Sequence, residues 1–303
     1  MGCWIRDCAP CPEALSCATA WNIDGKIYVF GGRDSLQKCS NKLYVYDCAS
    51  DNWQCLGETP LQKRVYPISA VSGNAVYVGL GYNGSGIYTE GSYLCDFWRY
   101  EPASDHWERL ADYPDPNCNS AIAFAYDGNI YAGFGFQKGF TKDIHQYDPL
   151  AGKWDTVEQD YRSCDPPRMT ASVAATSDGR CFIGTGFRNG SHNFWGEFMP
   201  ESGKWKKCAS VPGKGRHNVA CSANDTGIWL FGGWHYGDPE GSGRYYSNIL
   251  RYIPDTDKWS RVGVLPCGEA MNMVAATVDG NVYFGLGETP EEKPLNNFYC
   301  IEK

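Results

Sequence analysis

Three groups of side chains in this sequence have types and spacings that could do chemistry. Cys8 and Cys11 form a C-x2-C flanked by Cys3 and Cys17. Thiolates gathered in that way are what a structural zinc site uses. The five histidines, His106, His145, His192, His217 and His235, show no H-x-H or H-E-x-x-H spacing, so no second metal motif supports the first. The third group is a scatter of Arg33, Arg64, Arg168, Arg188 and Arg216 with Tyr82, Phe136, Phe187 and Trp234, joined by His217 and Glu288. Arginine forks grip carboxylates with two parallel hydrogen bonds, and aromatic faces pack on sugar rings and apolar side chains. Whether any group is a site depends on where the backbone puts it.

Bulk properties narrow the function. A formal charge of −8 with no basic run excludes the clustered cationic stripe of a nucleic-acid surface. No stretch approaches 18 uninterrupted apolar residues, so no membrane-spanning helix is expected. Fifteen cysteines is a high, odd count in a long chain with ample apolar content. That pattern favours reduced thiols serving as small hydrophobes, hence a cytoplasmic setting. A periplasmic or secreted setting would require a leader already removed.

The elements that must position these groups are repeats. Trp53, Trp107, Trp154, Trp205 and Trp259 recur at intervals of 47 to 54 residues. Seven residues before each stands an aromatic: Tyr46, Tyr100, Tyr147, Phe198 and Tyr252. A further register, Tyr28, Tyr77, Tyr131, Phe182, Trp229 and Tyr283, is followed four residues later by Gly32, Gly81, Gly135, Gly186, Gly233 and Gly287. Each unit reads as four short β-rich strands parted by Gly, Asp, Asn and Pro turns, with no sustained helical periodicity.

Gly31-Gly32, the Tyr46…Trp53 pair and the acidic-x-Pro turns near Pro102, Pro149 and Pro254 together resemble the kelch family over essentially the whole chain. Tyr77 to Tyr82 with Asp96-Phe97-Trp98 is most similar to bacterial kelch proteins. The resemblance implies an all-β, six-bladed kelch β-propeller with four-stranded blades, one domain spanning residues 1–303. Six glycine registers against five Tyr-x6-Trp units leave the last blade short of its outer strand. The segment from Trp4 to Pro12 is expected to supply it, closing the edge that a sheet otherwise exposes. Cys8 then takes the slot of Leu56 and Leu110, a buried thiol rather than a metal ligand, so no metal and no cofactor are expected.

In such a ring the residues after each repeat glycine share one face with those entering each first strand. The first set is Arg33, Tyr82, Phe136, Phe187, Trp234 and Glu288, with Arg188 beside Phe187; the second includes Glu13, Arg64, Asn119, Arg168, Arg216 with His217, and Glu269 with Asn272. The long loop from Trp234 through Asp238 to Tyr246 reads as a partly ordered lid. These residues predict a monomeric binding propeller that takes a carbohydrate or a protein segment at its channel mouth. Two alternatives stand. The resemblance extends distantly to sialic-acid mutarotases, where it implies that a Gly-Glu pair followed by an arginine carries a general acid/base reaction; Gly287-Glu288 matches that pair and makes Glu288 the candidate catalytic residue, but it lies in the last blade with no arginine following, and Gly186-Phe187-Arg188 stands in blade four. The other alternative is a protein-interaction adaptor.

Overall fold

The computed structural model describes residues 4–84, 92–116, 118–176, 178–237 and 243–303. Cys3 and the centre of the expected lid, 238–242, lie outside the described residues. Six four-stranded antiparallel sheets stand in a ring. Blade one runs outward from Thr19–Ile23 through Lys26–Phe30 and Lys42–Asp47 to Asn52–Glu58. The inner strands of the other blades are Ile68–Ser72, Ile122–Tyr126, Thr170–Ala175, Ala220–Asn224 and Val274–Val278. Each packs beside the next, and the last against the first. The described residues contain one 3-10 turn, Pro254–Thr256, and no α-helix.

The seven-residue spacing of Tyr and Trp has a direct cause. The two residues face each other across the outer hairpin of a blade, as in the pairs Tyr46–Trp53, Tyr100–Trp107 and Tyr252–Trp259. Their ring centroids lie 5.1, 4.2 and 4.9 Å apart. The indole then reaches into the preceding blade: Trp53 Nε1 donates to the Ala9 carbonyl at 2.8 Å, Trp154 Nε1 to Ala111 at 3.0 Å and Trp259 Nε1 to Ala209 at 2.8 Å. One aromatic thus packs its own sheet and satisfies its polar atom on the neighbour.

Ring closure is formed by the N-terminal strand Ile5–Cys8, which pairs with Phe298–Ile301 at the edge of blade six. The alignment differs from the expectation by one residue. Ile301 pairs with Val282 on one side and Ile5 on the other, as Tyr46 pairs with Ile27 and Trp53. Ile5 therefore holds the tryptophan slot, and Trp4 stands 75% exposed outside the strand. Seven residues before Pro12 is also Ile5, so the spacing rule was the better guide than residue type.

The repeat glycine is required by its backbone. Gly81 has φ +104°, and a Cβ there would lie 2.5 Å from the Val65 carbonyl oxygen. Gly287 repeats this with φ +90° and 2.5 Å to the Met271 carbonyl oxygen. Such φ values strain any other residue by about 1–3 kcal/mol, and the backbone contact adds to it. Gly81→Ala is expected to lower the unfolding free energy by about 3 kcal/mol in urea denaturation; a loss under about 0.5 kcal/mol would show that the loop relaxes freely.

Candidate functional site

The glycine turn delivers the next residue to one fixed place on the loop face. Arg33, Tyr82, Phe136, Trp234 and Glu288 each form a β-bridge to the segment entering an inner strand, with Ser16, Val65, Asn119, His217 and Met271 as partners. Phe187 pairs with Thr170 in the same way. Just beyond these bridges lies a ring of residues around the channel mouth: Cys17, Tyr66, Ser120, Asn218 and Asn272, all with φ between 53° and 58°. Backbone hydrogen bonds join them around the ring, from Cys17 N to Asn272 O, Tyr66 N to Cys17 O and Asn272 N to Asn218 O. With Thr170 from blade four, they line a polar cavity of about 180 Å³ to which every blade contributes. Of this ring the sequence reading named Asn272 alone, although each of the five lies fifteen residues before its repeat glycine.

The arginines divide sharply. Arg64 is 0% exposed and forks onto Asp96, Nη1 to Oδ1 at 2.8 Å and Nη2 to Oδ2 at 2.9 Å, while also donating to the Leu80 and Gln62 carbonyls. Arg216 occupies the equivalent place in blade five. It donates to the Gly232 carbonyl at 3.0 Å and to Asn248 Oδ1 at 2.7 Å, and stacks on Tyr246 at 3.9 Å. Burial pushes its guanidinium down to about 10, still a cation at neutral pH. Both side chains brace blade junctions from within. Arg33 Nη2 donates to Glu288 Oε2 at 2.8 Å, and Asn272 Nδ2 donates to Glu288 Oε1 at 2.8 Å. Glu288 is 1% exposed, so both oxygens of this carboxylate are engaged beneath the mouth. Arg168 and Arg188 are exposed, together with Lys138 and Arg244. None of these four is ion-paired among the described residues.

The aromatics form an arc over blades three to five. Phe136 meets Phe140 at 4.8 Å, Phe140 meets Phe187 at 6.0 Å, and Phe187 meets Tyr236 at 6.1 Å. His217 lies 5.0 Å from both Phe187 and Trp234, and Trp234 stacks with Tyr245 at 5.8 Å. Most of these rings are half-buried; Tyr236 is 43% exposed. Burial, with His235 nearby, pushes the His217 imidazole down to about 4, so it is neutral at physiological pH. Its Nδ1 meets Ser191 Oγ at 2.8 Å, and that oxygen also accepts the Tyr236 N–H and bonds to the Trp234 carbonyl. The Ser–His contact is therefore an anchor for the arc, its hydroxyl already committed. Tyr82 stands apart, against Tyr93 at 5.5 Å. Among the described residues no group of three or more His, Cys, Asp or Glu could hold a metal ion; Cys8 and Cys11 are buried in the packing between blades six and one.

Comparisons with known proteins agree with this architecture. The family model described as the KLHDC2/KLHL20/DRC7 Kelch-repeats domain matches residues 5–186. Kelch repeat and BTB domain-containing protein 12 of Danio rerio is 32% identical over 177 residues, 52% of this chain and 28% of that protein. N-acetylneuraminate epimerase of Escherichia coli K12 is 25% identical over 222 residues, 71% of this chain and 51% of that protein. The chain thus spans about a quarter to a half of these relatives. The solved structure of YjhT superposes with a TM-score of 0.76 at 17% identity, covering 96% of each chain, a likeness of fold. With the Gly, Tyr and Trp registers recurring as turns and cross-strand pairs in blade after blade, and a kelch model matched over most of the chain, this protein belongs to the kelch-repeat family.

Proposed function

We propose that the propeller is a binding module that seats a protein segment bearing acidic side chains on the loop face of blades three to five. One observation carries this reading. The half-buried aromatic arc from Phe136 to Tyr245 is flanked by Lys138, Arg168, Arg188 and Arg244, exposed cations without an ion pair among the described residues, whereas Arg33, Arg64 and Arg216 are bonded inside the fold. Apolar anchors with a charged rim are the arrangement expected of a protein-recognition surface. A sugar carrying a carboxylate would meet the same groups, and the similarity to N-acetylneuraminate epimerase favours it as the second ligand class. Isomerisation of such a sugar would need a carboxyl within reach of the ring oxygen; Glu288, buried and held by Arg33 and Asn272, does not offer one in this arrangement.

Binding should therefore respond to charge. Fluorescence polarisation against a library of aromatic-acidic peptides is expected to find binders that weaken as salt is raised. Arg188→Glu with Arg244→Glu should weaken them by about tenfold. Acidic peptides that bind no better than neutral scrambled ones, or a variant that binds them as the wild type does, would overturn the proposal. A carboxylated sugar that binds where all peptides fail would transfer the site to the second ligand class.

A further inference from the structure

Cys95 and Cys118 lie 23 residues apart, yet the fold packs both into one apolar cluster between blades two and three. Cys95 directly precedes Asp96 and the third strand of blade two, Phe97–Glu101; Cys118 leads into the inner strand of blade three, Ile122–Tyr126. Gly81 holds the two segments side by side. Its N–H donates to the Cys118 carbonyl at 2.9 Å, and its carbonyl accepts the Leu94 N–H at 2.9 Å. The Tyr113 N–H donates to the Cys95 carbonyl at 2.8 Å, so the connection between the blades is tied at both ends. The two thiols converge on consecutive carbonyls: Cys95 Sγ lies 3.7 Å from Asp115 O, and Cys118 Sγ lies 3.2 Å from Pro116 O.

We propose that Cys95 and Cys118 form a dithiol site that closes to a disulfide between blades two and three, with a low-molecular-weight disulfide such as glutathione disulfide as the oxidant. Cys95 is the half-exposed member and Cys118 is fully buried, so Cys95 meets the oxidant first. The neighbouring Cys95 thiol, then burial, raises the Cys118 thiol. Cys118 consequently keeps its proton until the mixed disulfide has formed on Cys95. The Cys95 thiolate attacks one sulfur of glutathione disulfide, the S–S bond breaks, and one glutathione thiolate leaves. Cys118, losing its proton to solvent or to the departing thiolate, then attacks the Cys95 sulfur and expels the second glutathione. Two protein thiols are oxidised and one glutathione disulfide is reduced to two thiols.

The cysteines elsewhere provide the contrast. Cys55 is exposed and should stop at the mixed disulfide unless another thiol lies beside it. The test is equilibration of the folded full chain in a glutathione redox buffer, acid quench, alkylation and non-reducing tryptic mass spectrometry. Peptides 65–99 and 110–138 each hold one cysteine, so a cross-link between them has one assignment. The expected result is that cross-link as the main form of both peptides, reversed by dithiothreitol, while Cys55 carries glutathione. In Cys118→Ser, Cys95 should carry glutathione as well. Wild-type protein in which Cys95 stays free or stops at the mixed disulfide while Cys55 reacts would overturn the proposal, and that outcome does not depend on the variant folding.

Discussion

Removal of residues 1–12 is expected to abolish cooperative unfolding and leave an aggregating chain. The deletion takes away the strand Ile5–Cys8, and with it the full register against Phe298–Ile301. It also removes the Cys11 N–H to Asn296 carbonyl bond at 2.8 Å and the Ala9 carbonyl that Trp53 Nε1 bonds. Cys8 and Cys11 belong to the core cluster that contains Tyr46, Trp53 and Phe298, so the loss strikes the packing between the first and last blades. An opened ring exposes a bare sheet edge as well as the apolar seam. The effect is set against a total stability of about 5–15 kcal/mol for a folded domain. Differential scanning calorimetry with light scattering checks it, and a truncated chain that melts at the wild-type temperature would sink the closure argument. Trp4→Ala is the matched control: with that residue 75% exposed, a change within about 0.5 kcal/mol is expected.

Arg64→Ala should cost about 3–5 kcal/mol, because it strands a partner charge inside the protein. Burial by itself would push the Asp96 carboxyl up. The two hydrogen bonds and the charge of Arg64, helped by Trp98 Nε1 at 2.7 Å, more than offset it and hold the group below the ordinary aspartate value. A carboxyl depressed in the folded state contributes stability that is present above its unfolded pKa and is lost as pH falls through its folded pKa. The variant has no such contribution to lose. The gap between wild type and Arg64→Ala, measured by urea denaturation, should therefore be widest near neutral pH and narrow on acidification below about pH 4. Arg216 supplies the comparison, since the acceptor in Asp96's place is the neutral Asn248. A gap for Arg64→Ala that stays constant down to pH 3 would mean that the ion pair adds nothing beyond packing.

The sequence by itself determined the number of blades, the four strands in each and the need for an N-terminal strand. These features were legible because they are short-range. Tyr and Trp seven residues apart are opposite one another across a single hairpin, and the repeat glycine marks one turn with a left-handed backbone, so both leave a fixed interval in the chain. Even the misplaced Trp4 follows from this: the interval pointed to Ile5, and only the identity of the side chain pointed elsewhere. Tertiary structure decided which charges face solvent. Arg64 and Arg188 look alike in sequence, but the partner of Arg64 stands 32 residues further on, while Arg188 projects from an exposed turn. Glu288 meets Arg33 across 255 residues of chain, a pairing that exists only because the ring closes. The segments that carry Cys95 and Cys118 meet for the same kind of reason, around Gly81. Local spacing records how a strand turns; it carries no record of which side chain waits on the neighbouring blade, and that neighbour is what leaves a polar group buried and paired or free for a ligand.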